Sequence, residues 1–457
     1  MRTQRILVGL VAALLLVTGC GGRSGPGTEE ATAAQAVTSG DFGDLKDVCG
    51  PGKPTAAAAQ GVTAAEIKIG VFSDMGFTKN SEFVDAAKVF TSWCNAAGGI
   101  GGRKIVTTTR DAKLMEVRQR MLDACREDFA LVGGGSALDA LGAKERLSCL
   151  LPDFPGQISQ QQNVQSDLQY NASASAYVNY FQYTGYYRWL LQEAHPGSAG
   201  AVGMINGDSP VTKVMGEKFA EAMRAGGASF IYNDLYPASG VADWTPYAQA
   251  IKSKGVKGLM FLGDWRQLAK LEDVLTGMDY KLDWIDANNS AYNKSFLETA
   301  GRSLNFQNNY ADLGGTVPVE NPSASPATQQ LLDLYEKYAP RADITMAAMR
   351  AFSAWLLFAK SAGSCGDQLT RACLIAAAAQ EKAWTGGGLN APNVVADRET
   401  PPKCFNVVRA TPQGWQPADF KPDQGQFRCD IPAYRYTGAY DRPFTLADVG
   451  KSVSDIK

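Results

Sequence analysis

The chain has 457 residues, enough for two or three domains that each bury a core, and 45% of them are hydrophobic, which excludes a wholly disordered protein. Basic and acidic side chains nearly balance at 44 and 46, so the basic excess of a nucleic-acid binder is missing. The single histidine, His195, removes multi-imidazole metal sites and leaves one candidate base for a serine or cysteine nucleophile, and no GxSxG elbow or CxxC pair occurs. No catalytic residue, metal site or cofactor is expected.

Arg2 and Arg5 precede an apolar run from Ile6 to Val17, too short to cross a hydrocarbon layer of about 30 Å and typical of a leader core. The run ends in Val17-Thr18-Gly19-Cys20, which resembles the lipobox of bacterial lipoproteins. That resemblance implies a signal peptide over residues 1–19 and a lipid on Cys20 that holds the protein at the outer face of the cell membrane. Residues 20–64, rich in Gly, Ser, Thr, Ala and Glu, are expected to form a flexible tether. Eight cysteines remain, an even number that suits disulfides in an exported protein. Spacing favours Cys365 with Cys373, Cys404 with Cys429 and Cys94 with Cys125, leaving Cys49 with Cys149.

From Glu66 the pattern alternates short apolar runs with helical periodicity, the mark of parallel sheets with crossover helices. Strands are predicted at 66–72, 104–109, 129–132 and 148–151, with helices at 81–96, 114–127 and 138–147 between them. A second unit opens with a helix at 175–193. Strands follow at 199–205, 229–234, 258–262 and 284–287, separated by helices at 211–225, 244–254 and 266–276. Residues 325–379 hold three helical stretches, including 346–362, and no clear strand. The aromatic cluster around Tyr180, Tyr183 and Tyr187 reads as one core-facing helix side. In such sheets ligands bind beyond the carboxyl ends of strands. The loops to inspect are therefore 73–80, 133–137, 152–159, 206–212, 263–266 and 288–292. Gly133-Gly134-Gly135 lacks the spacing of a nucleotide loop.

The segments IKIGVFSDMG (67–76), WCNAAGGIGGRKI (93–105), VGGGSALDALGA (132–143), INGDSPVTKVMGEKFAEAMRAGGA (205–228) and DWTPYAQAIKSKGVKGLMF (243–261), with Asp111, resemble the leucine/isoleucine/valine-binding type of solute-binding protein. These are type I periplasmic binding proteins of ABC importers, and AGGIGGRK is the most specific of the matching stretches. The resemblance runs from about Glu66 to Cys429. It implies an α/β fold of two lobes, each a doubly wound parallel sheet, joined by three hinge crossings. Lobe one would hold 65–169 and 311–386, lobe two 170–310 and 387–430, with 431–457 a C-terminal tail.

The same resemblance places ligand contacts on Ser73, Asp74, Phe77, Gly135, Ser136, Asp153 and Phe154 of lobe one. On lobe two it points to Asp208, Ser209, Thr212, Asp264, Trp265, Asn288, Asn289 and Tyr292. Relatives that bind amino acids carry an acidic residue in the last loop to meet the ligand ammonium. Here Asn288, Asn289 and Tyr292 stand there, so either Asp264 takes that role or the ligand lacks an amine. The implied function is capture of a small polar solute, such as an amino acid or amide, by a monomer that delivers it to an ABC permease and ATPase. The alternative is a ligand sensor that signals to a membrane partner without transport.

Overall fold

The computed structural model describes residues 38–55, 59–174, 176–429 and 431–457; the expected leader, Cys20 and the first part of the tether lie outside the described residues. Lobe one begins with β1 (Glu66–Ser73), a short α1 (Met75–Thr78), α2 (Glu82–Ala96), β2 (Lys104–Asp111), α3 (Val117–Glu127), β3 (Ala130–Val132), α4 (Ala143–Ser148) and β4 (Asp153–Phe154). Its sheet has the order β2-β1-β3-β4 and is parallel throughout. The strand expected at 148–151 is instead the end of α4 and the turn after it. The Arg146 guanidinium donates to the Leu151 carbonyl and pins that turn, and the sheet is completed two residues later.

Lobe two contains β5 (Tyr180–Phe181), α5 (Thr184–Arg188), β6 (Val202–Asp208), α6 (Pro210–Ala225), β7 (Phe230–Pro237), α7 (Thr245–Lys254), β8 (Gly258–Leu262), α8 (Trp265–Gly277), β9 (Trp284–Asp286), α9 (Lys294–Ala300) and β10 (Asn309–Asp312). The chain then returns to lobe one for α10 (Pro326–Tyr338), α11 (Met346–Ser364) and α12 (Arg371–Ala379), and crosses again to add β11 (Val407–Thr411) and β12 (Gly414–Pro417). The second sheet runs β12-β11-β10-β9-β8-β6-β7, parallel from β7 to β10 and antiparallel at its β11-β12 edge. The helix expected from 175 starts only at Thr184, because Tyr180 and Phe181 are held extended against β13 (Tyr434–Arg435).

Helix α11 explains why the chain returns. Fifteen of its 19 residues are buried, so it is apolar nearly all round and needs cover on every side. It packs on α2, on α12 and at the ends of β3 and β4. Its first turn is closed by Thr345, whose hydroxyl accepts from the Ala348 amide at 3.1 Å.

Three expectations are corrected or extended. The tether is not free through residue 64: Phe42, Val48, Cys49 and Val62 are buried, and the Phe42 ring meets Trp93 and Phe352 at 5.9 and 5.1 Å. Its small-residue composition hides these apolar anchors, of which Phe42 packs against α2 and α11. The disulfides Cys365–Cys373 and Cys404–Cys429 form as expected, whereas the other four cysteines pair as Cys49–Cys94 and Cys125–Cys149. Helix α2 belongs to the large core with the 42–49 segment, while α3 and Cys149 border a separate small core, so Cys94 and Cys125 sit in different layers.

The third concerns residues 431–457: the C-terminal tail is held against both lobes as a strap. On lobe two, Glu221 of α6 accepts hydrogen bonds from the Tyr434 and Tyr440 hydroxyls and from the amides of Thr437 and Gly438. On lobe one, the Phe444 amide donates to the Gln162 carbonyl, Leu446 is buried, and the Ala372 amide donates to the carbonyl of Lys457. The strap is a fourth crossing between the lobes.

Glu272 of α8 is fully buried, with Asn309 donating to it at 2.8 Å, and burial pushes its carboxyl up to about 8. Its Oε1 and the Asn309 Oδ1 are both acceptors without a partner, an arrangement that a protonated carboxyl relieves. The folded state therefore holds a proton that the unfolded chain releases. This contribution is complete below about pH 4.5 and is lost as pH rises toward about 8. In thermal melts the wild type should lose Tm relative to Glu272→Gln over that window; parallel curves would contradict the buried acid.

Candidate functional site

The loops beyond the carboxyl ends of the parallel strands approach one another between the lobes. The first turn of α2 brings Glu82 of lobe one near Arg266 of lobe two; burial raises the Glu82 carboxyl and the Arg266 charge opposes that rise. Helix α11 touches the turn at Asn289–Ala291 of lobe two. These contacts mark where the two lobes meet, and the segments 171–174 and 312–316 lead from one lobe toward the other.

On lobe one, Ser73 and Asp74 are buried at the end of β1. The Asp74 carboxylate accepts from the Ser136 hydroxyl at 2.9 Å, the Ala137 amide at 2.7 Å and the Leu114 amide at 2.8 Å. It ties the loops after β1, β2 and β3 together. The Ser73 hydroxyl accepts from the Met75 amide, so it too serves the loop. Phe77 projects from α1 and is 61% exposed, free to cover a guest. Gly135 donates its amide to the Phe72 carbonyl, and a Cβ there would stand 2.9 Å from the Gln157 Cβ and 3.0 Å from the Phe83 ring. The absence of a side chain lets Gln157 and Phe83 close in on this backbone.

Two lobe-one expectations are corrected. Phe154 is fully buried and stacks on Tyr170 at 5.4 Å, because strand alternation turns it into the core. Asp153 points into a buried network in which Gln169 donates to it, burial raises its carboxyl and the Arg146 charge lowers it again. The cavity that Asp153, Arg146, Asp139 and Ser136 share is only about 30 Å³, room for one or two waters and no solute. Within it burial pushes Asp139 up to about 6, against hydrogen bonds from Asn163, Ser159 and Gln160.

On lobe two, Ser209 caps α6: its hydroxyl accepts from the Thr212 amide at 3.2 Å, and the Thr212 hydroxyl donates to the Gly207 carbonyl. Asp208 is half-exposed and paired with Lys213. Asp264 caps α8 by accepting from the Arg266 amide at 2.9 Å, and its own amide donates to the Tyr236 hydroxyl. Trp265, the first residue of α8, is half-buried, edge-on to Phe296, with the Arg266 guanidinium 4.2 Å over its ring. Asn288 has φ 60° and its amide donates to Asp286, while the Asn289 side chain donates to the Tyr183 hydroxyl at 3.0 Å. Tyr292 is corrected: it is 1% exposed, packs on Trp415 and donates to Glu320, so it seals the region behind the cleft.

Sequence reasoning missed a cluster of buried polar groups at Asp286, Asp312 and Arg350. Asp286 receives the Tyr186 and Tyr187 hydroxyls, and burial pushes its carboxyl up to about 6. Asp312, at the end of β10, accepts from the Gly314 amide at 2.7 Å and is raised by burial to about 7. Arg350 of α11 is buried nearby and its charge draws the Asp312 carboxyl back down. One signal was available: an arginine inside the apolar run MAAMRAFSAWLLFA is too costly to bury without a task.

A family model described as periplasmic binding protein matches residues 66–415. No curated protein matches the sequence. Among solved structures, a fatty acid ABC transporter substrate-binding protein from Thermomonospora curvata is 16% identical over 80% of this chain and 96% of its own, with a TM-score of 0.66. A leucine binding protein from Thermotoga maritima is 11% identical over 77% and 97%, with a TM-score of 0.62. The branched-chain amino acid transporter substrate binding protein of Streptococcus pneumoniae, solved in complex with isoleucine, is 16% identical over 76% and 96%, with a TM-score of 0.57. At such identities the likeness is one of fold.

The knot at Asp74 makes a prediction. Asp74→Ala leaves three donors without an acceptor and should cost about 1–3 kcal/mol in chemical denaturation, with Asp74→Asn losing less. A neutral Asp74→Ala would mean the three loops hold without it.

Proposed function

Because this chain belongs to the periplasmic binding protein family, we propose that it is an extracytoplasmic solute-binding lipoprotein that captures a small polar solute between its lobes and delivers it to an ABC-type permease. The observation that carries this reading is the convergence of polar and aromatic loop ends from both lobes on one cleft, bordered by Glu82 and Arg266. Phe77, Gly135, Trp265 and Asn289 are the contacts we assign. A solute that touches both sets does so only when the lobes are closed, so it shifts the open-closed balance by its differential affinity for the closed form. The permease then reads closure as occupancy. Lipidation at Cys20 keeps the receptor beside that permease.

Two measurements test this. A thermal-shift screen over amino acids, amides, polyamines, short peptides and aromatic acids should find a compound that raises Tm by mass action. Trp265→Ala should then weaken its calorimetric affinity roughly tenfold while leaving the unliganded Tm unchanged. Unaltered affinity removes this loop from the contact set. In cell fractionation, Cys20→Ala should move the protein out of the membrane fraction, and continued membrane retention would exclude the lipid anchor.

A further inference from the structure

Arg350 carries the strongest unmet demand among the described residues. It is 8% exposed, its Nε and Nη2 are buried and without a partner, and it forms no ion pair. A guanidinium withdrawn from water with empty donors is stable only if an anion completes it. The nearest internal candidate does not: Asp312 feels the Arg350 charge, yet its Oδ2 is itself without a partner. Arg350 also stands where three parts of the chain converge. A Cβ added to Gly314 would lie 3.7 Å from the Arg350 Nη2 and 3.7 Å from the Ala174 carbonyl oxygen, so the guanidinium sits close to the segments 171–174 and 312–316.

The other polar corner of the cleft is already filled. The Ser136 hydroxyl and the Ala137 and Leu114 amides all donate to the Asp74 carboxylate, so a second carboxylate would meet a like charge there. Resting on the solute-binding reading above, we propose that the solute is a monocarboxylic acid whose carboxylate is held on the cleft floor by the Arg350 guanidinium, with Asp312 beside it. The planar fork of a guanidinium matches a carboxylate with two parallel N–H···O bonds. One guanidinium balances one negative charge, and Asp312 and Asp286 nearby disfavour a dianion such as phosphate. Asp312, kept partly protonated by burial, adds a donor that a carboxylate oxygen accepts.

The test uses matched acid and amide pairs: isoleucine and isoleucinamide, butyrate and butyramide, octanoate and octanamide. With the wild-type protein, calorimetry should give at least one acid a Kd about tenfold or more below that of its amide. Arg350→Gln should abolish that preference, Arg350→Lys should keep part of it, and Arg302→Gln, an exposed arginine on lobe two, should leave it intact. Circular dichroism checks that each variant folds; should Arg350→Gln fail, the wild-type acid–amide comparison and Arg350→Lys decide. Equal binding of acids and amides, no binding by any acid, or an acid preference that survives Arg350→Gln overturns the proposal and leaves Arg350 and Asp312 as an internal pair. If an amide binds and Trp265→Ala weakens it, the cleft reading stands while the carboxylate assignment falls.

Discussion

The architecture depends on burying one helix. Helix α11 has almost no polar side, so it is stable only when enclosed by α2, α12 and the ends of β3 and β4. These partners come from both earlier and later parts of the chain, and the later part must leave lobe two to reach them. That return generates the crossings behind the cleft. The same helix carries Arg350 near its N-terminus, so the element that completes the core of lobe one also holds the buried arginine. Core packing and the placement of that charge are therefore coupled through one rigid body.

The cleft walls divide their polar groups into committed and uncommitted sets. Asp74, Ser136, Ser209, Thr212 and Asp264 spend their hydrogen bonds on caps and loop knots. Such pre-organisation leaves little to rearrange when a guest arrives and so limits the entropic cost of binding. What stays uncommitted is aromatic surface at Phe77 and Trp265 and charge on the floor. A guest with one ionic end and an apolar body matches that division better than one that is polar throughout.

Much of the fold was legible in the sequence, since strands such as 66–73 and 258–262 are short apolar runs between amphipathic helices. The interleaving of the lobes came from resemblance, because nothing in residues 325–379 states which sheet they cover. Strand ends were legible in the sequence, but side-chain directions at them were not. Phe154 falls in β4 rather than in a loop, and Tyr292 stands in its expected loop; both point inward, since strand alternation and a hydrogen bond to Glu320 set their direction. The cysteine spacing was compatible with several pairings, and only the separation of the α2 and α3 layers selects among them. The tether was misjudged because composition averages over 45 residues while Phe42 and Val48 act singly. Arg350 escaped notice since the inspected loops all follow strands, whereas it lies within a helix.

The strap at the C-terminus limits how the lobes can move apart. Tyr440 is fastened to α6 through Glu221 and Phe444 is fastened to Gln162, leaving four residue steps between the two moorings. A chain of that length reaches at most about 14 Å when taut. Beside it, the Lys218 ammonium of α6 donates to the Gln161 side chain at 2.9 Å, so this edge is also pinned directly. The leash thus turns opening into a swing about one edge: the edge at α6 acts as the pivot, the gap widens on the far side, and the amplitude ends where the leash comes under tension.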